Sequence, residues 1–194
     1  MEASIMANVE NQRKKIHPHK YTLWVAIGSM LMMFAGLTSA FIVKSNLVGW
    51  RDVRMPKIFW LSTAVIIISS LTMHLALRSF RQRNRRQYRQ LIAVTFILGI
   101  AFVIMQLIGF NELWYEQNVH LKGVTGAGQF LYVIFGLHGL HVVGGIIALM
   151  VMFIRAFFGK SKNYSVVPVE VAATYWHFVD LLWVYLLVFF IVIG

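Results

Sequence analysis

Residues 171–193 read VAATYWHFVDLLWVYLLVFFIVI, and this run contains a single acid, Asp180, and a single histidine, His177. A helix of about 20 apolar residues crosses the hydrocarbon core of a bilayer, so the run predicts a transmembrane helix. An ionisable side chain inside a membrane is costly to bury and, where it occurs, generally serves a function. Asp180 therefore marks a candidate functional site.

The composition extends this prediction to the whole chain. Of its 194 residues, 59% are hydrophobic and 13% are charged, a balance typical of an integral membrane protein and not of a soluble domain. There is no cysteine, which excludes disulfides, thiolate metal centres and covalent haem attachment through a Cys-x-x-Cys-His motif. The beginning of the chain is polar and basic, so we expect no cleavable signal peptide.

Four further segments have the length and apolar character of membrane spans. The five predicted spans are 23–43, 58–77, 91–110, 129–153 and 171–193. All three prolines fall shortly before a span, where a missing amide donor costs little. The connectors are short, so consecutive spans must run antiparallel. We therefore predict an all-α bundle of five transmembrane helices, one domain over residues 23–194, after a basic N-terminal segment, residues 1–22.

The basic residues predict the orientation of this bundle. Thirteen of the 18 Lys and Arg residues lie in the N-terminal segment and in the second and fourth connectors, and five lie on the other side. By the positive-inside rule the N-terminus is cytoplasmic and the C-terminus lies outside. We expect the chain to lie in the inner (cytoplasmic) membrane of the cell. The net charge of +11 could indicate a nucleic-acid partner, and the arginines between 78 and 89 could form a nucleic-acid patch or a protein-docking surface. A cytoplasmic connector beside anionic lipid explains them better, so we expect no nucleic-acid binding.

Small residues predict where the helices approach each other. Gly36 and Ala40 in the first span, and Gly144 and Ala148 in the fourth, have the small-x-x-x-small spacing of close helix contacts. The fourth span is the richest in glycine, so we expect it near the centre of the bundle, with Gly144 at a helix contact. Aromatic residues near span ends, Trp176 among them, are expected at the membrane interface.

Polar side chains inside the spans carry the candidate chemistry. His138 and His141 are three residues apart and share a helix face, and so do His177 and Asp180. The rise of an α-helix places His141 and Asp180 at one depth in the membrane. An unpaired carboxylate is expensive there, so we expect Asp180 to be hydrogen-bonded to a histidine or to nearby tyrosine or tryptophan donors.

Two further residues lie closer to the predicted cytoplasmic surface. His74 and His177 are matched in depth, both near the cytoplasmic ends of their spans. Arg155 stands at the cytoplasmic end of the fourth span, where the phosphate of a lipid head group would lie. The position of Arg155 suggests a contact with phospholipid.

Three interpretations of these residues compete. Imidazoles can bind a metal or haem, but the sequence shows no second cluster of ligands at the depth of His138 and His141. Intramembrane Asp and His can form a proton or ion path, but the sequence shows neither the internal repeat nor the broken helices of a transporter. In the third interpretation the polar groups satisfy one another and hold lipid head groups between helices, and the residue types favour it modestly.

Two sequence signatures resemble those of subunit III of the haem-copper terminal oxidases. They are FGLHGLHVVGG at 135–145 and EVAATYWHFVDLLW at 170–183, in the order and at the spacing of that family. The resemblance runs from Thr22 onwards and is that of the short five-span form found in quinol oxidases and some bacterial cytochrome oxidases. Met30 stands where the family commonly has a buried glutamate, so the roles proposed for that glutamate are not carried over.

The resemblance implies an accessory subunit that binds no haem, copper or other cofactor itself. Haem and copper would lie in partner subunits, above all in the catalytic subunit I of an oxidase that reduces oxygen to water and pumps protons. This chain would stabilise that subunit and support proton uptake, phospholipid binding and oxygen access.

The resemblance also implies roles for individual residues. His141 and Arg155 match positions that face lipid in the family. The polar residues of the signatures are His138, Glu170, His177 and Asp180. No residue of this chain is expected to be catalytic or to bind a metal. The alternative function is that of a small independent membrane transporter or scaffold that uses His141, His177 and Asp180.

Overall fold

The computed structural model describes residues 18–45, 56–115, 126–158 and 166–193. Within these ranges the chain forms five α-helices and no β-strand: α1 (Pro18–Ser45), α2 (Ile58–Arg81), α3 (Arg85–Tyr115), α4 (Gly126–Phe158) and α5 (Val167–Ile193). Each of these helices is long and apolar enough to cross a membrane. The predicted all-α fold with five spans is therefore confirmed.

The helices extend beyond the predicted apolar spans. The third predicted span covers 91–110, whereas α3 begins at Arg85 and ends at Tyr115. Arginine and glutamine are good helix formers, and their long side chains can reach water from a helix end. Continuing the helix also pairs backbone N–H and C=O groups that would otherwise be unsatisfied near the membrane.

A tight turn joins α2 to α3 where a longer basic connector was predicted. Arg83 has a left-handed backbone conformation, with φ 58°. The N–H of Arg83 bonds the carbonyl of Phe80, and the N–H of Asn84 bonds the carbonyl of Ser79, which is a Schellman ending of α2. The Asn84 side chain then accepts a hydrogen bond from the N–H of Gln87 in the first turn of α3. Most arginines between 78 and 89 consequently lie on helices.

The centre of the bundle is α5, and the prediction that the fourth span lies there is wrong. Half of the apolar part of α5 is buried, against 28% in each of the other helices. This helix packs against α1, α2 and α4. Its large aromatic side chains Trp176, Trp183 and Phe190 are almost fully buried. On α4, Gly145 instead receives one of these side chains, Trp176.

The tightest packing of a glycine of α4 against α5 lies at Gly145, one residue after the predicted Gly144. A methyl group added at Gly145 would stand 2.9 Å from two ring carbons of Trp176, closer than packed atoms tolerate. One added at Gly144 would meet only the Tyr175 hydroxyl, at an ordinary 3.5 Å. One added at Gly36 would meet no described atom within 4 Å. The predicted small-residue contact of the first span is thus not formed within the described part of the chain.

Hydrogen bonds from α5 fix it to its neighbours. Trp176 Nε1 donates to Ser69 Oγ at 3.1 Å, and Trp183 Nε1 donates to Thr63 Oγ1 at 3.0 Å, both on α2. The Tyr175 hydroxyl donates to the carbonyl of His141 on α4 at 2.9 Å. Trp176 is therefore a core residue, and its predicted place at the membrane interface is wrong.

Candidate functional site

One end of the bundle gathers charged side chains and is called the basic end below. There α1 and α5 begin and α2 ends. Glu170 lies in the first turn of α5, and its carboxylate contacts Lys20 Nζ at 2.5 Å and Arg81 Nη2 at 2.7 Å. A carboxylate is also favoured at a helix N-terminus by the helix dipole. Glu170 thus joins three helices at the basic end.

The ends of α3 and α4 meet at the same end of the bundle. Arg89 Nε donates to the carbonyl of Ala156 at 2.6 Å, and the Arg89 guanidinium lies 5.7 Å from the centroid of the Phe157 ring. This contact satisfies one of the carbonyls that a helix C-terminus leaves unpaired. The contacts of Glu170 and Arg89 together bring the ends of all five described helices into one layer.

His74 and His177, which were predicted only to share a depth, lie further from the basic end and face each other. Their ring centroids are 6.2 Å apart, across the contact between α2 and α5. The Ser70 hydroxyl, one turn of α2 further inside, lies 2.6 Å from His177 Nδ1. His74 is exposed on the surface of the isolated chain, whereas His177 and Ser70 are half-buried.

Asp180 and His138 lie in the interior, where they line one narrow cavity between α2, α3, α4 and α5. Asp180 is 5% exposed and His138 is 2% exposed. The other lining groups are mainly apolar, and the His138 ring stacks on Trp183 with centroids 5.5 Å apart. Neither carboxyl oxygen of Asp180 and neither ring nitrogen of His138 has a hydrogen-bond partner among the described residues.

The predicted hydrogen bond of Asp180 to histidine, tyrosine or tryptophan is therefore wrong, and so is its pairing with His141. Trp176, Trp183 and Tyr175 donate to other acceptors. His141 Nδ1 lies 2.7 Å from the carbonyl of Leu137, in its own helix, and its ring contacts Phe34 of α1. Three residues of an α-helix correspond to about 300° of rotation, so His138 and His141 diverge enough to meet different helices.

Arg155 is exposed near the end of α4, at the basic end of the bundle. Fourteen residues of helix separate it from His141, which is about 21 Å at about 1.5 Å per residue. One lipid head group cannot touch both side chains over that distance. Contact of Arg155 with a lipid phosphate stays a prediction, and the half-buried His141 would meet acyl chains rather than a phosphate.

The described residues contain no group of three or more His, Cys, Asp or Glu side chains that could hold a metal ion. Met30 is 8% exposed and packs in the core, so the position where the resemblance leads one to expect a glutamate is filled by an apolar side chain. Polar side chains lead from Glu170 at the basic end through the exposed His74 and the half-buried His177 and Ser70 to the buried Asp180 and His138. The Lys20 and Arg81 partners of Glu170 were not foreseen, because nothing in the sequence links three residues on separate helices.

Comparison with known proteins identifies relatives over nearly the whole chain. Residues 17–194 match the family model of cytochrome c oxidase subunit III. The chain is 26% identical over 168 residues to cytochrome c oxidase subunit 3 of Bacillus sp. (strain PS3), covering 84% of this chain and 80% of that protein.

Mammalian relatives are more similar over a shorter region. Cytochrome c oxidase subunit 3 of Osphranter robustus is 36% identical over 129 residues, which is 66% of this chain and 47% of the relative. That of Loxodonta africana is 34% identical over 127 residues, which is 65% of this chain and 46% of the relative. The chain therefore spans about half the length of these mammalian proteins.

Proposed function

The chain belongs to the cytochrome c oxidase subunit III family, and we propose that it is an accessory, non-redox subunit of a terminal oxidase. The observation that carries the proposal is the family match over residues 17–194, which includes both polar signatures. In this function the chain supports a catalytic subunit I that contains the haem and copper and reduces oxygen to water. The oxidase lies in the inner (cytoplasmic) membrane, with the basic end of this chain in the cytoplasm.

The surface of the bundle supports a role in a membrane complex. Large apolar side chains are exposed on all five described helices, for example Met32, Ile67, Ile97, Leu140 and Val192. A membrane protein covers such surfaces with lipid or with other subunits. The packed interior in turn gives the chain its own core, so it can serve as a rigid partner rather than as a segment that folds only on the catalytic subunit.

The ion pairs at the basic end support the same role. Glu170 is 19% exposed, and its two basic partners are 41% and 59% exposed, so each pair alone contributes little. Their effect is geometric, because one carboxylate fixes the relative positions of α1, α2 and α5. Holding this layer in place would preserve the cytoplasmic surface on which proton uptake by the complex depends.

Affinity purification of the full chain from its native membrane tests the proposal. We expect a tagged chain to co-purify with haem-bearing subunits and with oxygen-reducing activity, because an accessory subunit is part of a hetero-oligomer. A matched tag on an unrelated multi-pass protein of the same membrane is the control. Recovery of the chain without haem, from membranes that contain an assembled oxidase, would favour the independent transporter or scaffold.

Arg155→Leu is expected to lower the amount of phospholipid retained by the purified complex while leaving its assembly unchanged. The exposed guanidinium at the end of α4 can bind a phosphate through two hydrogen bonds, and leucine cannot. Quantifying lipid phosphorus per haem in parent and variant measures the effect. Arg83→Leu, in the turn between α2 and α3, is the control for loss of a single positive charge. Equal retention in the parent and Arg155→Leu would contradict a lipid site at Arg155.

A further inference from the structure

Asp180 is the one acid in the described part of the chain that is buried away from any positive charge. Its carboxyl group lies inside the core of this chain, so neither a partner subunit nor lipid decides its surroundings. The ionisable group that shares its cavity is His138, on α4. The α3 side chain in the lining is Phe102, and α1 contributes none to the cavity. The lining groups on α2 and α5 beside Asp180 are apolar or indole.

An ionised carboxylate would be very unfavourable in this cavity. Burying a charge without a partner costs far more than burying a neutral polar group, and a buried group avoids that cost by binding a proton. No described N–H or O–H group donates a hydrogen bond to the carboxyl oxygens of Asp180. A neutral carboxylic acid beside a neutral imidazole leaves no net charge in the cavity.

A row of polar side chains connects this acid to the basic end. The Ser70 hydroxyl is 2.6 Å from His177 Nδ1, and His177 lies three residues before Asp180 on α5, where side chains three apart are neighbours. The His177 ring faces His74, with centroids 6.2 Å apart. His74 lies seven residues, about 10 Å, before Arg81 at the basic end. On the other side of Asp180 the row of polar side chains ends at His138, which is 2% exposed and stacked on Trp183 and so has no contact with the surface.

We propose that Asp180 is a buried proton-binding site, which holds one proton as a neutral carboxylic acid and exchanges it with the basic end through Ser70, His177 and His74. The ligand of this site is the proton itself. The cavity is too narrow for a water-sized sphere, so the side chains themselves form the inner part of the route.

The exchange step conserves protons. The O–H bond of the Asp180 carboxyl breaks as its proton passes to Ser70 Oγ, and the proton of the Ser70 hydroxyl passes to His177 Nδ1. His177, which carries its resting proton on Nε2, then releases that proton toward His74 and the basic end. The same steps in reverse return a proton to Asp180. A deuteron that enters at the basic end thereby replaces the proton of the acid.

The sequence allows this acid to be observed on its own. The chain contains two aspartates, Asp52 and Asp180, so Asp52→Asn leaves Asp180 as the sole aspartate. We would prepare the full chain with aspartate labelled with carbon-13 at the side-chain carboxyl, in lipid bilayers at neutral pH. Isotope-edited infrared spectroscopy then distinguishes the carbonyl stretch of a protonated acid from the bands of a carboxylate, and Asp180→Asn identifies the signal.

We expect the protonated carbonyl band in the Asp52→Asn chain, its loss in the chain that also carries Asp180→Asn, and a shift of the band in heavy water. Carboxylate bands from Asp180 at neutral pH would overturn the proposal. A protonated band that never shifts in heavy water would overturn it equally, since the acid would then be cut off from the basic end.

The rate at which the carbonyl band of Asp180 shifts in heavy water tests the proposed proton route through Ser70 and His177. We expect Ser70→Ala and His177→Phe each to slow deuterium exchange at Asp180 by roughly a hundredfold or more, the low end of what a positioned proton-transfer group contributes. Thr72→Val is the control for Ser70→Ala, because the Thr72 hydroxyl bonds Thr95 on α3. His141→Phe is the control for His177→Phe. Unchanged exchange in Ser70→Ala and His177→Phe, or equal slowing in the controls, would overturn the route.

The outcome is independent of the proposed function. Asp180, Ser70 and His177 belong to this chain, and the infrared measurement does not require the oxidase. Co-purification with haem could therefore succeed while the proton site fails, or the reverse.

Discussion

Trp176→Ala is expected to lower the free energy of unfolding of the chain by about 3–5 kcal/mol, as large-to-small changes of buried aromatic residues do. The indole is 1% exposed and lies in the contact of α5 with its neighbours. It packs against Gly99 of α3 and Gly145 of α4, and it donates a hydrogen bond to Ser69 of α2. Its removal leaves a cavity where four helices meet.

The measurement is the unfolding transition of the full chain in lipid-detergent mixtures, for the parent and the variant. Trp60→Ala is the matched control, because Trp60 is 61% exposed on the outside of α2. We expect the control to change the free energy of unfolding by no more than about 0.5 kcal/mol, the usual range of exposed substitutions. Equal shifts for Trp60→Ala and Trp176→Ala would show that Trp176 does not hold the core together.

Gly145→Ala is expected to destabilise the chain relative to Gly144→Ala by about 1–3 kcal/mol, the usual cost of overpacking. Alanine favours a helix over glycine by about 1 kcal/mol at either position, so this term cancels in the comparison. What remains is the contact of the added methyl group, which would stand 2.9 Å from the Trp176 ring at Gly145 but an ordinary 3.5 Å from the Tyr175 hydroxyl at Gly144. Gly144→Ala itself should be neutral or stabilising.

A double variant separates this contact from other causes. If the cost of Gly145→Ala arises from the indole ring, it should largely disappear in a chain that already carries Trp176→Ala, since residues in contact give non-additive effects. The same unfolding transition measures all four chains. Additive effects of the two substitutions would mean that Gly145 is constrained by something other than Trp176.

The fold was predictable from the sequence because the number and length of the apolar segments determine how many helices cross the membrane. Each span identified by hydropathy corresponds to one described helix. Which helix lies at the centre was not predictable. A glycine indicates that another helix packs closely against it, but not which helix that is. In α4 the buried glycine is Gly145 and its exposed neighbour is Gly144, one residue apart. Only the position of Trp176 on α5 distinguishes them.

The sequence predicted which polar residues belong to the candidate site, but not which of them lie next to each other. His138, His177 and Asp180 lie in the interior or near it, as polar residues of a span would. Asp180 was predicted to pair with His141 because the two residues share a depth in the membrane. In the structure, the direction in which each side chain leaves α4 places His138 in the cavity with Asp180. That direction is set by the packing of α4 against α1, α3 and α5, which the sequence of one helix does not contain.

The central claim is that this chain supports a terminal oxidase without performing its redox chemistry. The most direct measurement is the time course of oxygen consumption by the purified oxidase after this chain has been removed, with haem content measured in the same preparation. We predict that the initial rate per haem is retained and that activity then declines faster during turnover than in the intact complex. An immediate and complete loss of oxygen reduction, in a preparation that keeps its full haem content, would contradict the claim.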